Sequence, residues 1–169
     1  FCFVINDPYD RAAPLVIDPE LLYSTYLGGT NFDDGCAMAV DDAGNAYITG
    51  FTQSSNFPSV NPYDGTWNGG KDMFVAKVTS AGNALAYCTY FGGNGDDVSY
   101  DLAVDSIGSV YLTGYTGSTN FPIVNAYDPS YNTEWDAFIS KFSPAGNALI
   151  YSTYLGGSLS DYGYAIDVD

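Results

Sequence analysis

The chain repeats itself every 64 residues without a gap, residues 22–85 matching residues 86–149 at 31 of 64 positions. A third copy opens at Ile150 and is present as far as Asp169, and residues 1–20 form a lead-in segment before the repeat region 21–169. The anchor is Tyr23-Ser24-Thr25-Tyr26-Leu27-Gly28-Gly29, echoed at Tyr87–Gly93 and Tyr151–Gly157. Tandem units of this length cannot bury their apolar faces alone and do so against one another, so the chain is read as a repeat architecture.

Each unit reads as four strands. The helix period is absent, and Gly and Asn punctuate short runs of aromatic and β-branched residues. In the first copy the expected strands are Cys36–Val40, Ala46–Thr52, Asp72–Thr79 and Leu85–Phe91. In the second they are Asp101–Val104, Val110–Thr116, Asp136–Ser143 and Leu149–Leu155. Cys36–Val40 is built of small and apolar residues, as a doubly buried inner strand would be. Asp41-Asp42-Ala43-Gly44-Asn45 is a turn in which Gly44 or Asn45 takes positive φ. Four antiparallel strands in meander order describe a propeller blade, so the fold class is all-β with two complete blades and part of a third.

The loop from Gln53 to Lys71, recurring as Gly117–Trp135, is long for a compact unit. Its Asn56-Phe57-Pro58 returns as Asn120-Phe121-Pro122, and Phe57 and Phe121 are expected to plug between blades. Tyr26, Tyr90 and Tyr154 are expected to share in that packing.

These motifs carry a resemblance. Tyr-Ser-Thr-Tyr-Leu-Gly-Gly, then Asp, then Ala-x-x-Val-Asp-x-x-Gly-Asn-Ala-Tyr-Ile-Thr-Gly-x-Thr, Asn-Phe-Pro and Asp-x-Phe-Val-x-Lys together resemble the SBBP β-propeller repeat of bacterial and archaeal surface and secreted proteins. The resemblance covers residues 21–169, and the lead-in Pro14-Leu15-Val16-Ile17-Asp18-Pro19 is similar to the segment ahead of the first repeat in such proteins. It implies a propeller and an extracellular or cell-surface setting, and it implies no reaction. Ser109 stands where the first copy has Asn45, and Cys88 where it has Ser24.

Charge removes several function classes. With 18 Asp and 2 Glu against 3 Lys and 1 Arg, the formal charge is −16, which repels nucleic-acid phosphates and anionic membranes. No apolar run approaches the ~20 residues that span a bilayer. The sequence contains no His, which excludes Ser-His-Asp and Cys-His catalysis and most zinc sites. Phe1 is followed by no basic stretch of the kind that begins a signal peptide, as in a processed or excised product. Cys2, Cys36 and Cys88 stand outside the repeat pattern; they are expected as buried free thiols, with a disulfide through Cys2 as the alternative.

The excess of Asp over Glu points to turns, where the short carboxylate bonds nearby amides, or to Ca²⁺, for which Asp is a hard oxygen ligand. Asp33, Asp97 and Asp161 recur after each Gly-Gly, and Asp41 and Asp105 recur at the end of the inner strand. Tyr63 and Trp67, with counterparts Tyr127 and Tyr131, sit beside Asn and Asp in the long loop and are candidates for stacking on sugars. Paired carboxylates such as Asp33-Asp34 and Asp96-Asp97 allow glycoside hydrolysis in principle, but a repeated Asp argues for a repeated structural cause.

Two and a third units do not close a ring of four to eight blades. Leu21–Leu27 is expected as the last strand of a preceding blade, and Tyr164–Val168 as the first strand of a following one. The expected partners are therefore neighbouring blades of a longer chain or further copies of this one, with a terminal strand completing a neighbour's blade. The function expected is a non-catalytic structural or interaction module. Glycan-binding adhesion is the alternative, and carboxylate-dependent hydrolysis a distant third.

Overall fold

The computed structural model describes residues 21–132 and 134–169; the lead-in segment with Cys2 lies outside them. All regular structure among these residues is strand: β1 (Asp33–Val40), β2 (Ala46–Thr52), β3 (Asp72–Val78), β4 (Leu85–Phe91), β5 (Asp97–Val104), β6 (Val110–Thr116), β7 (Asp136–Phe142) and β8 (Leu149–Leu155). They form two four-stranded antiparallel sheets in the orders β1-β2-β3-β4 and β5-β6-β7-β8. These are two propeller blades, and the pair is not closed into a ring.

The inner strands start earlier than their hydrophobicity suggests. β1 runs from Asp33 and β5 from Asp97, because each continues past a bulge, at Cys36 in β1 and at Tyr100 in β5, to pair with the end of β2 or β6. The bulge folds a carbonyl over the facing residue: a Cβ on Gly50 would lie 1.9 Å from the Asp34 oxygen, and one on Gly114 the same distance from that of Val98. Only glycine fits there. In the β1–β2 hairpin it is Gly44 that takes positive φ, at 81°.

The second blade packs its inner strand β5 on β1, β2 and β3 of the first. The seam is filled by Tyr47, Met73, Val75, Tyr87 and Phe91 from the first blade and Leu102, Val110, Leu112, Phe121, Phe138, Phe142 and Tyr154 from the second, all buried. Phe121 lies in this seam, its ring 4.9 Å from that of Phe91, 5.2 Å from Phe138 and 5.8 Å from Tyr154. Phe57 is buried against Phe74 and Tyr90 of its own blade, in a cluster on which Leu27, at the preceding blade's last-strand position, also packs.

β1 is the counterpart of β5 and departs from its expected burial. Most of it is exposed, Met38 and Val40 included, because no preceding blade lies against it among the described residues. Cys36 is exposed for the same reason, whereas Cys88 is buried in β4 and its thiol is pushed up to about 12 by desolvation.

Residues 21–27 and 164–168 are not strands. Leu21–Leu27 still lies where a preceding blade's last strand would: the Tyr23 ring covers Gly82 as the Tyr87 ring covers Gly146. Tyr26 is a correction. It is 103% exposed, while its counterparts Tyr90 and Tyr154 are buried. Each buried counterpart is covered by its own unit's loop, Tyr90 donating to the Ser54 and Phe57 carbonyls and Tyr154 to that of Ser118. Among the described residues no such loop covers Tyr26. At the other end, Tyr164 stacks on Tyr100 at 5.5 Å, and the Gly163 amide donates to Gly114 O.

Candidate functional site

The long loops are built into the blades. Residues 53–71 run back along β4, with bridges Val60–Cys88 and Asp64–Tyr90, and residues 117–135 do the same along β8 through Val124–Ser152. The outer strand of each blade is thereby covered, which is how native sheets blunt an open edge.

This placement sorts the four aromatic candidates. Tyr63 crosses the seam, its ring 5.7 Å from Phe142 and 6.4 Å from Phe91. Tyr131 packs on Tyr154 at 5.9 Å and donates to the Glu134 carbonyl. Trp67 is 37% exposed, and Tyr127, the counterpart of Tyr63, is 89% exposed. The structure therefore brings no two of the four rings together as one sugar-stacking platform. Tyr127 stands free because the Phe142 of a following blade has no counterpart among the described residues.

The repeated carboxylates fall into three groups. Asp41 closes the β1–β2 turn, accepting from the amides of Ala43 and Asn45, from Asn45 Nδ2 and from Tyr47 Oη. Lys77 lies 3.4 Å away and donates to the same tyrosine oxygen. Asn45 in particular holds the Asp41 carboxyl down to about 2. Asp105 repeats this with the amides of Ile107 and Ser109, Tyr111 and Lys141. The two turns flank a cleft of about 350 Å³ between the blades, whose polar groups are largely these paired ones.

Asp33, Asp97 and Asp161 each accept the amide of the second glycine in Gly-Gly, at 2.7 Å in all three units. Asp33 has further donors in Thr52 and Ser54, and Asp97 in Ser118. Asp97 and Asp161 also hang on the preceding blade, their own amides donating to Lys71 O and Trp135 O.

The third group escaped sequence reasoning. Asp72 and Asp136, the first residues of β3 and β7, are fully buried. Their Oδ2 atoms accept the amides of Asn68 and Asn132, and their Oδ1 atoms have no hydrogen-bond partner. Burial, with the Asp97 and Asp64 charges adding to it, pushes Asp72 up to about 7. Burial also raises Asp97 and Asp136. The sequence signal was an Asp opening an otherwise buried strand in both units. Among the described residues no group of three or more Asp, Glu or Cys side chains converges as a metal site would. No described helix is long and apolar enough to cross a membrane.

Repeat contacts, blade order and seam all point one way, and the family comparison agrees: the model of the SBBP beta-propeller repeat matches residues 22–58 and again residues 86–122. Those two segments are similar to SBBP repeats. Each match runs from the last strand position of one unit through the two inner strands of the next to Asn-Phe-Pro, so the SBBP repeat is offset from the blade. The repeat is a structural one. No curated protein gives a significant match to the chain.

Proposed function

We propose that this chain is a non-catalytic structural and interaction module of a cell-surface or secreted assembly, whose two free faces take further SBBP blades. One observation carries the reading: side chains that are covered at the internal seam stand exposed at the two outer faces. Tyr63 packs on the next blade and keeps 36% exposure, against 89% for Tyr127; β5 is largely buried on the preceding blade, and β1 is not. Each free face repeats the surface that its opposite number buries, so the occupant that fits is another blade of the same kind.

An extracellular setting is expected from the resemblance and suits the acidic surface. It is tested by protease accessibility on intact cells.

The docking reading is tested by adding one 64-residue unit after Asp169. Quenching of Tyr127 exposure and a higher melting temperature are expected; an added unit that leaves both unchanged refutes it. A glycan-binding role keeps one supporting observation, the exposed Trp67 beside Asn68 and Asp64. Saturable quenching of tryptophan fluorescence by oligosaccharides, lost in Trp67→Ala, is the result that would establish it.

A further inference from the structure

At each blade seam two carboxylates from successive units meet in a place the polypeptide leaves without a counter-charge. In the first seam the Asp97 amide donates to Lys71 O, the residue before Asp72, and the Asp97 charge adds to the raising of the Asp72 carboxyl. In the second, Asp161 hangs on Trp135 O in the same way, beside Asp136. The convergence is measurable at Gly156: a Cβ there would lie 2.6 Å from Asp136 Oδ1 and 3.1 Å from Asp161 Oδ2. At Gly92, the counterpart, a Cβ would lie 2.7 Å from Asp97 Oδ2. The first glycine of each Gly-Gly thus keeps open the space onto which the carboxylates face.

The Oδ2 atoms of Asp97 and Asp161 that face it accept the Gly93 and Gly157 amides, whereas other carboxylate oxygens at the seams lack donors. Asp72 Oδ1 and Asp136 Oδ1 are buried and unpartnered, and Asp97 Oδ1 has only the Thr116 hydroxyl beside it, without a hydrogen bond of ordinary geometry. Buried carboxylates persist where they are paired or coordinate a cation. The described cationic side chains are committed elsewhere: Lys71 to Asp96 at 3.7 Å, Lys77 to Asp41 and Lys141 to Asp105. Asp33 differs, since its hydroxyl and amide donors serve both oxygens and among the described residues no preceding Asp faces it.

We propose that each seam binds a hard divalent cation of the Ca²⁺ type between its paired carboxylates, Asp72 with Asp97 in the first and Asp136 with Asp161 in the second. The cation joins the third strand of one blade to the first strand of the next, so it fastens blade to blade. Asp41, Asp105 and Asp33, whose oxygens are occupied by hydrogen bonds, take no part. The proposal is independent of what occupies the outer faces.

The test is calorimetric titration of the chelator-treated protein with CaCl₂ at pH 8, with enough NaCl to screen the acidic surface, alongside thermal melting. Saturable binding is expected, with melting raised by several degrees; Asp72→Asn and Asp136→Asn should each lose one site. Asp41→Asn, if folded, should keep both. Absence of saturable binding overturns the proposal. So does an Asp72→Asn protein that melts higher than the parent and responds to Ca²⁺ equally, which would mean that the carboxyls share a proton. Equal Ca²⁺ responses in every variant would mean surface screening and also overturn it.

Discussion

At the scale of single residues, the side chains that matter most are those whose local geometry tolerates no alternative. Gly114 faces the β5 bulge with the Val98 carbonyl over its α-carbon. Gly114→Ala forces backbone to move, and a loss of about 2–3 kcal/mol in denaturant unfolding is expected. Tyr90 offers a milder case. Its hydroxyl donates to buried carbonyls of Ser54 and Phe57, so Tyr90→Phe should cost about 1 kcal/mol by the same measurement. Asp41 supplies a pH test. Its folded carboxyl titrates below the unfolded one, so its contribution is complete above the unfolded value near ~4 and disappears as pH falls toward about 2. Melting curves from pH 5 to 2 should therefore converge for the parent and Asp41→Asn. Asp72 has the opposite sign: its carboxyl is raised to about 7, so in chelator its ionisation erodes stability as pH climbs from ~4 through 7.

At the scale of elements, one repeated residue meets two different neighbours. Phe121 touches Phe91 of a complete blade, while at the identical place the cluster around Phe57 meets only Leu27, the counterpart of Phe91, from a segment that forms no strand. Either Phe→Ala change should cost about 3–5 kcal/mol, the range for large core aromatics. Only Phe121→Ala should uncouple the blades, seen as two unfolding transitions by hydrogen exchange instead of one. The Tyr63–Phe142 contact is a second tie across the seam, and a double-mutant cycle should return a coupling of about 0.5–1.5 kcal/mol. The long loops were legible as unusual but not as edge covers. Their bridges to β4 and β8 join residues 26 to 28 positions apart, and no local pattern announces such pairings.

For the whole molecule, stability should behave as a sum over blades and seams. Each added unit is expected to raise the melting temperature until the ring closes, because it adds one seam and covers Tyr127 or its counterpart; a flat series would show that blades fold independently. The 64-residue repeat, the four strands per unit and the Gly-rich turns were determined by sequence alone, because period, β-propensity and positive-φ positions are local and recur in step. The tertiary structure decided which of these equivalent residues are used. Tyr90 is buried and Tyr26 is not, β5 is covered and β1 is not, and Asp97 is fully buried where Asp33 is only partly so. A repeat writes the same side chain at each copy, but burial and charge pairing depend on what the neighbouring copy brings against it, and that neighbour lies far away along the chain.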